Sequence, residues 1–412
     1  MITRTSLRWA SFLLLILIFY VTLADISLVC AQSLPQKDSQ ARDAQPQENA
    51  QELIAQSKDL LRSRQYEKAA ETLRRAISLQ PDSAAAYAHL GMALLRQGRA
   101  TEALSAAQQA VQLDPDYAFG YVTLGSVNQE MNRFSEAIDA LKQAIRINPD
   151  YFDAYGILGS VYGQTRRYEE SLAAFTQALR LNTNNADVYN GLAIANYRLG
   201  RHEEAIAFIK QAVRLNPNFA NAYINLGNWY NEMGRYEEAA DSYTQVIRIA
   251  PKFPSGYFNR SLLNMYLGRG GAAADDARTF LSVADWYRER SPYMVILAVL
   301  GYRQAGRADE AAKILDLAAK RCNTSEWPYP VIRYLRQEIT AQALLALASD
   351  NDRMTEARTY IGMAFSAAGQ REESLKHLHW VKENGNKSFI EYRLALTEIG
   401  RIEKHAETSK QR

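Results

Sequence analysis

The sequence predicts an all-α protein, a solenoid built from antiparallel pairs of helices. The first observation is a period, because prolines recur at intervals of 34 residues or twice that, at Pro81, Pro115, Pro149, Pro217 and Pro251. The second is a pattern, Tyr-x-x-Leu-Gly or Tyr-x-x-Leu-Ala, which recurs between the prolines with the same period. A period of this length is typical of helical hairpins that cannot bury their apolar faces alone and must stack on copies of themselves.

The segment from Ala220 to Phe253 shows what each position of the repeat does. Four residues share one face of a predicted first helix, at offsets of three and four: Tyr223, Leu226, Gly227 and Tyr230. Gly227 has no side chain, so the second helix can approach closely there, and we expect Ala239 to be its small counterpart and Tyr243 to fill the space one turn later. Gly234 can adopt a positive φ and end the first helix, and Pro251 ends the second helix.

These residues and their spacing resemble the tetratricopeptide repeat family. The resemblance covers residues 50–287 as seven repeats, although Arg64 and Arg166 occupy turns where other repeats have Gly or Asn. It implies a right-handed superhelix of antiparallel helix pairs whose first helices line a concave groove. It also implies a scaffold that binds other proteins or extended peptides rather than an enzyme, although a fold alone names no partner.

Residues 1–31 have the composition of a signal peptide or an N-terminal anchor. Arg4 and Arg8 precede an apolar run from Trp9 to Ala24, and a small-x-small pattern ends at Ala31. Cleavage after Ala31, lipidation at Cys30 and retention as a membrane anchor all stay open. The polar residues 32–49 then predict a disordered tether. We therefore expect an extracytoplasmic protein, periplasmic or secreted, which one alternative anchors in the membrane at its N-terminus.

After the seventh repeat the period breaks. Residues 288–326 carry a divergent eighth repeat, and residues 327–412 predict C-terminal helices that include a repeat-like pair at about 355–387. In this part the sequence predicts one helix from Trp327 to about Ala348 and a closing helix from Ser388 to Arg401. The layout resembles bacterial extracytoplasmic repeat adaptors of the outer-membrane lipoprotein type.

Composition and residue chemistry argue against several classes of function. A net charge of +3 at pH 7 is close to neutral for 412 residues, which argues against a nucleic-acid-binding protein. His377 and His379 lie two residues apart on a predicted helix, so they point to different faces, and we expect them to be exposed and unable to chelate one ion together. Cys322 has no predicted base beside it, and no phosphate-binding loop or nucleophile motif stands out. We therefore expect no cofactor, no metal site and no catalytic residue.

The concave face supplies the candidate partner-binding site. Where members of the family clamp a C-terminal carboxylate with Lys, Asn and Arg, this chain has Phe119, Val122, Asp153 and Asp187 among others, so that clamp is absent. A later cluster of Asn and Tyr is predicted to share one face: Asn190, Tyr197, Asn221, Asn225, Asn228, Asn231, Asn259 and Tyr266. Asn amides can donate to and accept from a peptide backbone, and the rings offer apolar area. The alternative is a solvated helix face. A polar groove with few charges predicts little salt dependence of binding.

The sequence leaves two functions open. The first is an exported repeat scaffold that mediates protein–protein interactions as an adaptor for envelope protein complexes. The second is a chaperone-like accessory protein that captures extended polypeptides in the concave groove. A few stoichiometric partners would favour the adaptor, and many substoichiometric clients would favour the chaperone.

Overall fold

The structure is a computed structural model that describes residues 49–284, 286, 289–322 and 326–410. Over these residues the chain forms 21 α-helices and no β-strand, which confirms the predicted all-α solenoid. The predicted signal peptide or anchor at 1–31 and all but the last residue of the predicted tether at 32–49 lie outside the described residues. None of the helices that the structure describes is both long enough and apolar enough to span a membrane.

The chain divides into two compact units, residues 1–82 and residues 83–412. The described part of the first unit is one helical hairpin, α1 (Ala50–Arg62) and α2 (Tyr66–Leu79). Leu53 and Leu73 are buried, at 3% and 0% exposure. The turn between the two helices places Arg64 at a φ of 61°, in the left-handed region.

The second unit begins with six further pairs of helices. In each pair a first helix of 13 residues precedes a second helix of 14. In chain order the helices are α3 (Ala84–Arg96), α4 (Ala100–Leu113), α5 (Ala118–Glu130), α6 (Phe134–Ile147), α7 (Phe152–Gln164), α8 (Tyr168–Leu181), α9 (Ala186–Arg198), α10 (His202–Leu215), α11 (Ala220–Glu232), α12 (Tyr236–Ile249), α13 (Pro254–Tyr266) and α14 (Gly270–Val283). Each helix packs on its pair partner and each pair packs on the next, as in repeat arrays generally.

Glycines on the first helices make room for large side chains from the second helices. A Cβ at Gly227 in α11 would lie 2.8 Å from Cε2 of Tyr243 in α12, so only Gly admits that ring. Phe175 of α8 occupies the corresponding space beside α7 and α9, where a Cβ at Gly191 would lie 2.4 Å from its Cζ. Gly234 ends α11 at a φ of 74°. These contacts fix how neighbouring first helices lie side by side, and the first helices form the groove described below.

The period breaks between α14 and α15 (Ser291–Gln304), where the connection is longer than the four residues that join earlier pairs. Every residue of α15 from Met294 to Tyr302 is buried. The reason is that α13, α14, α16 (Ala308–Arg321) and later helices all pack against it. A helix covered on all sides is apolar all round, as this one is.

Five helices complete the unit: α17 (Tyr329–Leu335), α18 (Ala341–Leu347), α19 (Asn351–Ala367), α20 (Arg371–Asn384) and α21 (Ile390–Lys410). The prediction of one helix from Trp327 to about Ala348 is wrong, because the run breaks at Gln337, which has a φ of 63°. A tertiary contact supports the break. Nη2 of Arg303 donates to the carbonyl of Leu335 at 2.5 Å and so satisfies a backbone acceptor at the end of α17.

The last helix, α21, turns back onto the array. It packs on α19 and α20 and also contacts α13. Nη1 of Arg393 donates to the backbone carbonyl and to Oδ1 of Asn231 in α11, at 3.4 and 3.3 Å. Leu394 and Ile399 of the same helix are buried. One part of the array's inner face is therefore covered by the chain itself.

Candidate functional site

The first helices of the second to fifth repeats, α3, α5, α7 and α9, line an open cavity of about 1040 Å³. We call this cavity the main groove. Its volume is at the upper end of the range for ligand sites, which is roughly 300–1,000 Å³. Because it extends over four parallel helices, it suits an elongated ligand better than a compact one.

Apolar side chains form a large part of the floor of the main groove. Phe119 and Val122 come from α5, Ile157 from α7 and Ile194 from α9. Val122 is buried and the other three are half-buried, so they keep area that a ligand can cover. Covering apolar area is worth about 25 cal/mol per Å², which makes this floor a source of affinity for apolar side chains.

Polar side chains lie between these apolar residues. Nε2 of Gln129 in α5 donates to Oγ of Ser160 in α7 at 2.9 Å, which links two neighbouring first helices. Asn190 of α9 also lines the groove. A Cβ at Gly156 would meet nothing within 4 Å, so this part of α7 offers a flat surface to a ligand. Amides and hydroxyls in this arrangement can serve the N–H and C=O groups of a peptide backbone.

Charged side chains stand at both ends of the first helices. Asp153 and Asp187 are the second residues of α7 and α9, and we call them the acidic edge. Arg96 and Arg198 are the last residues of α3 and α9, and Arg166 follows α7; we call these three the basic edge. None of the five makes an ion pair with any residue that the structure describes. The two edges are therefore open to charges on a ligand.

A second, smaller cavity of about 250 Å³ lies between α11, α13 and the start of α21. We call it the C-terminal cavity. Asn231, Asn259 and Tyr266 line it from the array, and Phe389 and Arg393 line it from the C-terminal side. Burial raises the pKa of the Tyr266 phenol above its usual value, while the nearby Arg393 acts in the opposite direction.

The eight predicted partner-binding residues do not line one open groove. Asn190 lies in the main groove, and its Oδ1 accepts a hydrogen bond from Nδ2 of Asn225 at 3.3 Å. Asn231, Asn259 and Tyr266 lie in the C-terminal cavity, which α21 partly covers. The structure therefore does not bring all eight residues into one cavity, because a distant part of the chain packs over the later repeats, and their common role in binding stays a prediction.

The other three predicted residues lie outside both cavities, and so does Asn225. Tyr197 stacks on Trp229 of the next repeat, with ring centroids 4.4 Å apart. Oδ1 of Asn228 accepts from the hydroxyl of Tyr243 at 2.5 Å, so the second helix of its own repeat already engages it. Asn221 is exposed. A role of these residues in partner binding stays a prediction.

Sequence reasoning missed the residues that give the main groove its character. Ile157, Ile194 and the arginines of the basic edge were not among the candidates. A signal was present, since Phe119 and Asp153 stand at positions of the repeat that face the groove. In the sequence these positions excluded only a carboxylate clamp. The same positions also indicate an apolar floor between charged helix ends.

Side chains that could carry chemistry lie outside the main groove. His377 was expected to be exposed, which is wrong: it is buried, with its ring 5.7 Å from that of Phe365, and burial lowers its pKa. His379 is partly exposed, with Nε2 3.7 Å from Oε1 of Glu403. Burial raises the pKa of the Cys322 thiol to about 11, which disfavours the reactive thiolate. Over the described ranges no group of three or more His, Cys, Asp or Glu could hold a metal ion.

Several solved structures are similar to this chain. Pseudomonas aeruginosa PilF is 22% identical, with a TM-score of 0.44, over 49% of this chain and 92% of its own. A tetratricopeptide repeat protein from Parabacteroides merdae is 21% identical, with a TM-score of 0.44, over 61% of this chain and 98% of its own. YrrB, described as a repeat protein with an unusual peptide-binding site, is 24% identical, with a TM-score of 0.37, over 44% of this chain and 94% of its own. At these identities the likeness concerns the fold alone.

No curated protein matches the chain. A family model does, and its match covers more than half of the sequence. It is described as the C-terminal domain of cilia and flagella-associated protein 70, and it matches residues 22–250. The helix pairs, their period and this match agree, and the chain belongs to this family of tetratricopeptide repeat proteins.

Proposed function

We propose that this protein is an exported, non-catalytic scaffold that binds an extended segment of a partner protein in the main groove. Repeat arrays of this family are protein-interaction scaffolds, and the groove is an open concave surface of about 1040 Å³ on the first helices. The observation that carries the proposal is the groove's composition. It combines an apolar floor with amide and hydroxyl groups and unpaired charges, which is how an interface with a peptide is built.

Binding selections with a library of random peptides, on protein that begins at Gln32, test this proposal. We expect selected peptides to bind the native protein and to lose about tenfold or more in affinity to the double variant Ile157→Arg/Ile194→Arg, which places two bulky cations on the apolar floor. Affinity is measured by calorimetry after circular dichroism has shown that the variant is folded.

The matched control is the double variant Leu181→Arg/Leu215→Arg. These two leucines are each 39% exposed at the ends of α8 and α10, outside the groove lining. The control adds the same two charges and should bind the peptides as the native protein does. Equal binding by both double variants would show that the peptides bind elsewhere and would overturn the assignment of the groove.

Export and an envelope role are part of the proposal and are supported by the basic start, the apolar run and the small-x-small pattern within residues 1–31. N-terminal sequencing of the native protein should find Gln32 as the first residue, or an intact N-terminus in the membrane fraction. Recovery of the full chain from the cytosol would contradict export while leaving the groove proposal untouched.

Affinity purification from the native organism separates an adaptor from a chaperone-like accessory protein. The unpaired charges on the groove edges favour the adaptor, because fixed charges select partners whereas a general chaperone needs surfaces that accept many. We therefore expect a few partners in stoichiometric amounts. Many partners in small amounts would favour the chaperone.

A further inference from the structure

We propose that the main groove selects extended segments that carry acidic side chains on one side of the backbone and basic side chains on the other. This inference rests on the proposed function and names the chemistry of the partner. It follows from the placement of two acids at one end of the first helices and three arginines at the other, with Glu130 among the arginines and an uncharged floor between the two ends.

The two edges are separated along the helices. Asp187 and Arg198 are the second and the last residue of α9. At 1.5 Å per residue they lie about 16 Å apart along the helix axis. Asp153 and Arg166 repeat this arrangement on α7 and the turn that follows it. Over α7 and α9 a ligand therefore meets negative charge on one side and positive charge on the other. At the end of α5 the arginine side carries Glu130, so three arginines and one acid leave that side with a net positive charge.

Helix stability alone does not explain these charges. Asp near a helix start and Arg near a helix end each interact favourably with the helix dipole, by about 0.3–1 kcal/mol. However, the last residue of α5 in the same groove is Glu130, and the last residue of α11 is Glu232, where the dipole disfavours an acid. The dipole therefore favours Arg96 and Arg198 but does not dictate a cation at this position.

An extended peptide matches this geometry because its side chains alternate. Successive residues of a strand point to opposite sides, so residues at odd positions face one edge and residues at even positions face the other. The backbone then lies over the middle of the first helices, where Ser160 and Gln129 offer hydrogen bonds and Gly156 leaves the surface flat. The selected segment thus has acids at alternate positions, facing the basic edge, and Lys or Arg between them.

Two labelled peptides of equal length and composition test the inference. At about 3.3 Å per residue, about ten residues span four first helices that lie about 10 Å apart. The alternating peptide repeats Glu-Lys and carries one charge sign on each side. The paired peptide repeats Glu-Glu-Lys-Lys and carries both signs on both sides. We expect the alternating peptide to bind about tenfold more tightly at low salt. The preference should disappear toward about 1 M salt, where the Debye length is about 3 Å.

Charge variants of the edges sharpen the test. Asp153→Lys/Asp187→Lys makes both edges basic, so the preference for the alternating peptide should vanish and a peptide of Glu alone should bind more tightly. Adding Arg96→Glu, Arg166→Glu and Arg198→Glu to that variant exchanges the two edges. An alternating peptide fits the exchanged edges when its direction is reversed, so the preference should return. Failure of the preference to return in a folded variant would overturn the inference.

The remaining outcomes separate the charge pattern from the groove itself. If both charged peptides bind equally and Ile157→Arg/Ile194→Arg abolishes both, the charge pattern is overturned and the groove proposal stands. If selected library peptides bind in the groove but neither charged peptide does, the same conclusion holds. If no peptide of any kind binds in the groove, the proposed function fails and this inference fails with it.

Discussion

Replacing Gly191 with Ala should destabilise the protein, although the same change elsewhere on a first helix should stabilise it. A Cβ at Gly191 would lie 2.4 Å from Cζ of Phe175 and 2.6 Å from both of its Cε atoms. Carbon atoms in contact are about 3.5–4.0 Å apart, so the ring would have to move by about 1 Å. It has little room to do so, because its other end packs so closely on the backbone of Gly159 that a Cβ built there would lie 2.9 Å from the ring.

The magnitude follows from two opposing effects. Overpacking a rigid core costs about 1–3 kcal/mol, and the ring held between two helices favours the upper part of that range. Ala in a helix interior gains about 0.8–1.0 kcal/mol over Gly. We therefore expect Gly191→Ala to lower the free energy of unfolding by about 2 kcal/mol. Gly156→Ala is the matched control, since its Cβ would meet nothing within 4 Å, and it should raise stability by about 1 kcal/mol.

Urea unfolding followed by far-ultraviolet circular dichroism measures both changes. The double variant Gly191→Ala/Phe175→Leu should recover part of the loss, because the smaller side chain leaves space for the new methyl group, and the double-mutant cycle should show a favourable interaction between the two changes. If Gly191→Ala were as stabilising as Gly156→Ala, Phe175 would not fill the space between α7 and α9 as described.

Three further changes test other contacts. Arg64→Gly should raise the free energy of unfolding by about 1 kcal/mol, because the φ of 61° is strained for any residue with a side chain. Urea unfolding measures this change, and a variant less stable than the native protein would contradict the prediction. Burial, followed by the neighbouring Glu391, raises the pKa of Glu356 from 4.5 to about 7. The contribution of Glu356 to stability should therefore be fully present below pH 4.5 and fall by on the order of 3 kcal/mol as the pH rises from there through 7. Glu356→Gln should reduce the pH dependence of the urea midpoint between about pH 4.5 and 7, and an unchanged pH dependence would refute the assignment. Truncation after Val283 removes the helices that bury Phe280. The amides of α13 and α14 should therefore lose protection from hydrogen exchange, while those of α5 to α10 keep theirs. Full protection of all these helices would show that the seventh repeat needs no C-terminal support.

The repeats could be predicted because their signals are local. Gly227 and Tyr243 lie 16 positions apart in one hairpin, and the turn at Gly234 depends on a single φ. The break at Gln337 could not be predicted in the same way. It depends on a hydrogen bond from Arg303, which belongs to another repeat and has no counterpart in the period.

The sequence predicted which surface carries the candidate site, but not which residues line it. The concave face of the first helices does carry the main groove, and Asn190 lies in it. The asparagine cluster placed the predicted site in the later repeats, where the family pattern is clearest. Nothing local in the sequence indicates that Arg393 contacts Asn231, 162 residues away, and so covers part of that face.

The return of α21 also changes how the second unit should open. A repeat array whose members contact only their neighbours can unfold one hairpin at a time from either end. Here α21 joins α11, α13, α19 and α20, so the helices between them cannot separate singly without breaking the same contacts. The later repeats and the C-terminal helices should therefore open as one cooperative block. The repeats that form the main groove lie before this block in the chain, so they keep the stepwise flexibility of an ordinary array and can adjust to a partner while the block holds its conformation.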